Sequence, residues 1–189
     1  MKNIAVFASG FGSNFQALIE ARQAGKLQAN IVLLVSDKPA CKAVERAQLN
    51  GIDVFSFSSK QYESKEQYET AILQELRARN VDYIVLAGYM RYIGAVLLTN
   101  FPMHIINLHP ALLPSFPGAH GIADAYYHGV KVFGITIHFV DEGVDTGRII
   151  DQFAFHSEGT ESLDEIETRI HQLEHQHYPE TVNRVVNNL

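Results

Sequence analysis

The chain has 189 residues and a formal net charge of −6, and this length suits one domain with a well-buried core. Hydrophobic residues make up 47% and charged residues 19%, which argues against disorder, while an acidic balance without a run of Lys or Arg argues against nucleic acid as a partner. The single cysteine, Cys41, excludes an internal disulfide and fits a reducing cytoplasm, and no stretch is long enough to span a membrane.

The first half of the chain alternates predicted strands with predicted helices. Buried strands are predicted at residues 3–9, 30–36, 53–57 and 82–87, and helices at residues 14–24, 43–50 and 64–79. A capping box of Ser64 and Gln67 opens the third helix. This alternation predicts a single-domain α/β fold over residues 1–189, with a mostly parallel, Rossmann-like twisted sheet and helices on both faces.

A short helix from about Ala95 leads to an apolar strand that ends in polar groups. Asn107 and His109 are two residues apart and point to the same face, whereas Leu108 points to the opposite one. An amide and an imidazole at the C-terminal end of a strand suit an oxygen that becomes negative during a reaction. A capping Asn and a structural His are the alternative.

The second half of the chain has a different pattern. Apolar side chains at residues 133, 135, 137 and 139 alternate with Gly134, Thr136, His138 and Val140, which predicts a strand with two unlike faces as an antiparallel or edge addition to the sheet. An acidic, turn-rich loop at 141–147 precedes a strand at 149–155. Ser162 and Glu165 open the last helix, which Pro179 should kink or divide.

The first glycine turn, residues 10–13, invites a dinucleotide interpretation. The third glycine of that pattern is missing because Phe15 stands there, so a nicotinamide cofactor is a minority alternative. Gly12, Ser13 and Asn14 place free backbone N–H groups at a helix N-terminus, which suits a phosphate monoester. A plain strand-to-helix turn is the other alternative.

A pattern near the C-terminus resembles a zinc site. Residues 171–175 match H-x-x-E-H, and His171 and His175 would share a helix face. Only fourteen residues follow, which leaves little room for a third ligand, so we interpret the match as a chance one and expect no metal.

Three stretches together resemble the folate-dependent formyltransferases. They are residues 106–114, the loop 116–118, and residues 134–140 continuing to 145–147. The opening 9–14 and the loop 88–91 are similar to those of family members that formylate phosphoribosylglycinamide in purine synthesis. The resemblance covers nearly the full length, and relatives that act on initiator tRNA or hydrolyse formyl-folate usually carry a further domain that 189 residues cannot hold.

The resemblance implies an enzyme that moves the formyl group of 10-formyltetrahydrofolate, as co-substrate and without a metal, to the amine of 5′-phosphoribosylglycinamide. It implies that Asn107, His109 and Asp145 form the catalytic set, with Asp145 favouring protonated His109 and relaying a proton through water. The residues implied for the ribonucleotide are Gly12, Ser13 and Asn14 at the phosphate and Glu174 near the glycinamide. The residues implied for the folate are Lys65, Met90, Arg91, Tyr92, Ile93, Asn107, Val140, Asp141, Glu142, Gly143 and Val144.

Lys65 departs from close relatives, which can carry Arg at this position, and Lys lacks the two-pronged grip of Arg on a carboxylate. We expect a cytoplasmic monomer or homodimer whose partners are small molecules. A nicotinamide dehydrogenase, a non-catalytic folate or nucleotide binding module, and water as the formyl acceptor are the remaining alternatives.

Overall fold

One seven-stranded sheet organises the computed structural model of the chain, which describes residues 1–188. Its strands are β1 (Lys2–Phe7), β2 (Ala29–Ser36), β3 (Asp53–Ser56), β4 (Tyr83–Leu86), β5 (Ile105–His109), β6 (Val132–Phe139) and β7 (Ile149–His156). They lie in the order β3-β2-β1-β4-β5-β6-β7. The first five pair in parallel, and β6 pairs antiparallel with β5 and β7. The predicted mostly parallel sheet with an antiparallel addition is confirmed.

Six α-helices within residues 1–188 cover the two faces of the sheet. They are α1 (Ser13–Gln23), α2 (Lys42–Leu49), α3 (Lys65–Ala78), α4 (Ala95–Asn100), α5 (Gly121–His128) and α6 (Leu163–Asn188). Helices α1, α2 and α6 share a core with Ile4 and Val6, whereas α3 and α4 share one with Ala5 and Phe7. Because successive strand residues point to opposite faces, the apolar run of β1 fills both cores.

Several predicted strand ends are wrong by one or two residues. Strand β1 ends at Phe7 and not at residue 9, and β4 spans Tyr83–Leu86 and not residues 82–87. The backbone N–H groups of Ala8 and Ser9 still donate to Val35 and Gly88, at 3.1 and 3.0 Å. Buried, hydrogen-bonded backbone thus continues past the regular ladder, which is why the apolar pattern predicts a longer strand than the structure has.

Strand β6 is antiparallel, as predicted, but it is not an edge strand and both of its faces are buried. Its polar face lies under the loop at 110–118, where Thr136 Oγ1 donates to the carbonyl of Ala111 at 2.7 Å and accepts from the N–H of Leu113 at 3.0 Å. Only glycine fits at position 134, because a Cβ there would overlap the carbonyl oxygen of Phe153. The two faces of β6 are therefore unlike because each packs against a different kind of buried neighbour.

Helix α6 is not divided at Pro179, contrary to one form of the prediction. Proline removes one backbone donor from a helix interior. Tyr178 and Val182 are fully buried on either side of it, so packing of α6 on the sheet holds the helix together across the missing bond. No helix within residues 1–188 is long and apolar enough to cross a membrane.

The two predicted capping boxes differ in outcome. At α6, the N–H of Ser162 donates to Glu165 Oε2 at 2.7 Å and the N–H of Glu165 donates to Ser162 Oγ at 3.2 Å, which completes the box. At α3, Ser64 Oγ accepts from the N–H of Gln67, but the Gln67 side chain accepts from Glu63 instead. Only half of the second box is therefore present.

Tyr178→Phe should destabilise the fold. The hydroxyl of this fully buried residue donates to the carbonyl of Leu86 at 2.7 Å and lies 3.4 Å from that of Ile106, so it joins α6 to β4 and β5. Leaving these acceptors without the donor should lower the free energy of unfolding by about 1–3 kcal/mol. Urea denaturation should show it, whereas Tyr127→Phe, at a side chain 77% exposed, should change little. Equal effects of the two variants would contradict this role for the hydroxyl.

Candidate active site

A cavity of about 850 Å³ opens at the C-terminal ends of β1, β4 and β5. All the site residues that the sequence singled out line it: Gly12, Ser13, Asn14, Lys65, Met90, Arg91, Tyr92, Ile93, Asn107, His109, Val140, Asp141, Glu142, Gly143, Val144, Asp145 and Glu174. Open α/β sheets bind ligands at this edge. The structure thus brings the three predicted groups of residues into one space.

Asn107, His109 and Asp145 meet at the inner wall of this cavity. His109 is 4% exposed, and its Nδ1 lies 3.4 Å from Asp145 Oδ2. The same carboxylate oxygen accepts the N–H of Gly118 at 2.8 Å. The carboxylate is therefore held between a backbone donor and an imidazole.

The second nitrogen of His109 is also engaged. Its Nε2 lies 2.7 Å from the carbonyl oxygen of Phe116, which can only accept, so Nε2 carries a hydrogen. A Cβ at Gly121 would lie 3.0 Å from this nitrogen, so the ring packs directly against the start of α5. The two ring nitrogens therefore face two oxygens, those of the Phe116 carbonyl and the Asp145 carboxylate.

His138 belongs to the same cluster, although the sequence did not single it out as a site residue. It pairs with Asn107 across β5 and β6. Its Nε2 lies 3.4 Å from Asn107 Nδ2 and 3.6 Å from Asp145 Oδ1. The alternation of β6 placed His138 on the polar face, but its position opposite Asn107 depends on the strand register, which local patterns do not set.

These contacts lower the pKa of Asp145 below its ordinary value. The contact with His138 is the largest cause, and the N–H of Gly118 and the charge of His109 act in the same direction. Burial opposes them because it disfavours the charged form. The carboxylate should therefore remain ionised well into the acid range.

The glycine turn forms a second part of the cavity wall. Gly12 has φ = 75°, and a Cβ there would lie 2.9 Å from the Cβ of Ala43 in α2. A side chain at Gly12 would therefore clash with α2, so glycine is required here both for the backbone conformation and for packing.

Glu174 links α6 to the start of α1. Its Oε2 accepts from Asn14 Nδ2 and from His171 Nδ1, both at 3.0 Å, and the residue is 4% exposed. The bond to Glu174 is the largest cause of a raised pKa at His171. Asn14 Oδ1 is buried and has no hydrogen-bond partner within residues 1–188, which leaves an acceptor beside the carboxylate for a ligand donor.

The glutamate of the H-x-x-E-H pattern, Glu174, therefore has a structural role, because it accepts hydrogen bonds from His171 and Asn14. Among residues 1–188, no three His, Cys, Asp or Glu side chains lie where they could hold a metal ion. Cys41 is half-buried, with its Sγ 3.3 Å from Ser36 Oγ.

The outer walls of the cavity come from two loops. Met90 and Tyr92 are 70% and 66% exposed, whereas the side chain of Arg91 turns away to Asp37. Lys65 begins α3 beside Gly94, within reach of the same wall. Opposite them, Thr146 Oγ1 donates to Asp141 Oδ1 at 2.6 Å and the N–H of Gly143 donates to the same oxygen, which shapes the acidic loop.

Comparison with known proteins gives consistent results. The family model described as "Formyl transferase" matches residues 2–182. A phosphoribosylglycinamide formyltransferase of Bacillus subtilis is 48% identical over 186 residues, which cover 98% of this chain and 95% of that protein. The structure of glycinamide ribonucleotide transformylase 1 from Geobacillus kaustophilus aligns with a TM-score of 0.97 at 47% identity, covering 99% of this chain and 100% of that one. A phosphoribosylglycinamide formyltransferase from Bacillus halodurans aligns with a TM-score of 0.95 at 45% identity over 99% and 96% of the two chains.

Asp145→Asn should make the free energy of unfolding less dependent on pH in the acid range. Because the pKa of Asp145 is lowered by folding, its contribution is present above the unfolded value of about 3.9 and is lost as the pH falls through the folded value. The variant should be less stable than wild type at pH 7, and the gap should close below pH 4.

Urea denaturation at a series of pH values measures this gap. Asp53→Asn is the control, because Asp53 pairs with Arg79 at the surface with a side chain 64% exposed, and it should show only a small gap. A gap for Asp145→Asn that stays constant from pH 7 to pH 2 would contradict the proposed coupling to the imidazoles.

Proposed function

The chain belongs to the formyl transferase family, and we propose that it transfers the formyl group of 10-formyltetrahydrofolate to the amine of 5′-phosphoribosylglycinamide in purine biosynthesis. The observation that carries this proposal is the meeting of Asn107, His109 and Asp145 in one cavity with the glycine turn and Glu174. The Bacillus subtilis relative named phosphoribosylglycinamide formyltransferase is 48% identical over nearly the whole chain, and it supports the choice of substrate.

In the proposed reaction the neutral amine attacks the formyl carbon and negative charge develops on the formyl oxygen. Asn107 would donate to that oxygen from Nδ2, and the positive charge of protonated His109 would stabilise it, a task worth roughly 3–4 kcal/mol for a well-placed donor. Asp145 would hold His109 in this state and orientation through the 3.4 Å contact between them. No covalent bond to the enzyme is needed.

The proton balance gives Asp145 a second task. A C–N bond forms to the glycinamide amine while the bond from the formyl carbon to N10 of the folate breaks, so one proton must move from the attacking nitrogen to the leaving one. Asp145 is ionised and 13% exposed in its side chain, which suits a carboxylate that relays this proton through water.

The two substrates would enter from different walls. We propose that Gly12, Ser13 and Asn14 hold the phosphate and that Glu174 and the free Asn14 Oδ1 hold donors of the glycinamide. The folate would lie between residues 90–93 and residues 140–144 and reach Lys65 with its carboxylate end. Among these, Lys65 would act as a point charge on a flexible stem.

We also propose that residues 1–189 act as one formyltransferase domain in the cytoplasm. The single cysteine supports a reducing compartment. A monomer and a homodimer are both compatible with this function, since one chain supplies all the proposed site residues.

One assay tests the function. Absorbance is followed after mixing 10-formyltetrahydrofolate with phosphoribosylglycinamide, and each substrate is omitted in turn. Loss of the formyl-folate only when both are present supports the transferase. Loss without the ribonucleotide would indicate hydrolysis, and binding without turnover would indicate a binding module.

Asn107→Ala and His109→Ala should each lower kcat by about a hundredfold or more, because each removes stabilisation of the developing oxyanion. His156→Ala, at an exposed position at the end of β7, is the control and should leave kcat unchanged. Near-normal kcat in either site variant, together with a normal melting curve, would remove that residue from the proposed mechanism.

Glu174→Gln should raise the KM for phosphoribosylglycinamide by about tenfold, because hydrogen bonds to a charged group are worth roughly 1.5–3 kcal/mol. The KM for the formyl-folate should stay within twofold. Glu180→Gln is a matched control on the same helix, with a side chain 80% exposed, and should change neither constant. A rise in the folate KM alone would mean that the two substrates are placed the wrong way round.

A further inference from the structure

The β4–α4 loop, residues 87–94, is fixed at its ends and has free backbone groups in its middle. The N–H of Ala87 donates to the carbonyl of Phe7 at 2.8 Å, and the N–H of Gly94 donates to Glu69 Oε1 at 2.6 Å. No residue within 1–188 accepts a hydrogen bond from the backbone N–H groups of residues 91–93. Residues 91–93 line the cavity, so a planar heterocycle bound there could accept hydrogen bonds from these N–H groups.

We propose that Ser9 and Asp37 are positioning residues for the formyl-folate, which hold the β4–α4 loop so that its backbone faces the ligand in one fixed conformation. The proposal rests on the proposed function. Neither residue is among the site residues predicted from the sequence, and neither needs to touch the folate for this role.

Ser9 carries the first contact. Its hydroxyl accepts the N–H of Met90 at 2.8 Å and donates its only hydrogen to Asp37 Oδ1 at 2.5 Å. Ser9 is 1% exposed, so water does not compete for these bonds. The carboxylate therefore fixes the direction of the hydroxyl, and the hydroxyl fixes the backbone at Met90.

Arg91 carries the second contact. Its Nε donates to Asp37 Oδ2 at 2.8 Å, its Nη2 donates to Ser59 Oγ at 2.8 Å, and its guanidinium lies 5.6 Å from the ring centre of Tyr68. The side chain of Asp37 is 4% exposed and that of Arg91 is 32% exposed, so loss of the arginine would leave a buried carboxylate without its charged partner, which is costly. The Arg91 side chain is thus held against Asp37, which directly follows β2.

One carboxylate therefore acts on two consecutive residues of the loop. Through Ser9 it fixes the backbone of Met90, and through Arg91 it fixes the side chain of the next residue. Ordering a loop before the ligand arrives lowers the entropy lost on binding. Loss of the anchor should accordingly weaken folate binding more than it slows the chemical step.

The test uses Asp37→Asn. This variant keeps the shape of the side chain and an oxygen that can accept from the Ser9 hydroxyl, but it removes the charge opposite Arg91. Asp53→Asn is the matched control, because it also breaks an Asp–Arg pair, of 3.0 Å, with a side chain 64% exposed. Ser9→Ala is the second site variant, since it removes only the hydroxyl and remains informative if Asp37→Asn does not fold. KM for both substrates, kcat, and hydrogen exchange of peptides covering residues 88–94 are measured for each protein.

We expect both site variants to raise the KM for 10-formyltetrahydrofolate at least tenfold, with the KM for the ribonucleotide within twofold and kcat within threefold. Exchange in the 88–94 peptides should become faster in both and stay unchanged in Asp53→Asn. Equal rises of both KM values, a loss of kcat alone, or unchanged exchange would overturn the positioning role. Absent turnover in wild type would refute the proposed function, and the exchange data would still decide whether Ser9 and Asp37 order the loop.

Discussion

The antiparallel pairing of β5 with β6 is the constraint on which the candidate active site depends. It sets Asn107 opposite His138. The chain that follows β6 then brings Asp145 to within 3.4 Å of His109 and 3.6 Å of His138. The reversal of strand direction therefore gathers four polar side chains from separated stretches at one wall of the cavity.

The structure also compensates the negative charge of its buried carboxylates. The carboxylates in and near the cavity have these partners: Asp37 has Ser9 and Arg91, Glu69 has the N–H of Gly94, Asp145 has the N–H of Gly118 and two imidazoles, and Glu174 has Asn14 and His171. A carboxylate without partners would be costly at such depth. A chain of net charge −6 that takes up two anionic small molecules needs this local pairing, because its overall field repels them.

The fold could be predicted from the sequence because its signals are local. The apolar runs of β1, β2 and β4 and the glycine that ends α1 act within a few residues of one another, and so does the pair of Asn107 and His109 on one strand face. Long-range partners could not be predicted in this way. Asp37 lies 54 positions from Arg91, and His138 meets Asn107 only through the register of two strands. Asp145 was reached only through resemblance to a family, since an acidic turn offers several carboxylates of equal standing.

Backbone strain near His109 shows how the site is made rigid. Phe116 and Asp145 have φ values of 54° and 53°, in the left-handed region that costs a residue other than glycine about 1–3 kcal/mol. Asp tolerates this region better than Phe, whose side chain offers no local hydrogen bond in return. The bond from Gly118 to Asp145 Oδ2 ties the two segments together, and the surrounding contacts hold both in place. As a result, one strained residue presents its carbonyl to Nε2 of His109 and the other presents its carboxylate to Nδ1. A ring fixed at both nitrogens cannot rotate without losing an acceptor, so its position relative to Asn107 is set before any substrate binds, and no reorganisation remains to be made when charge develops.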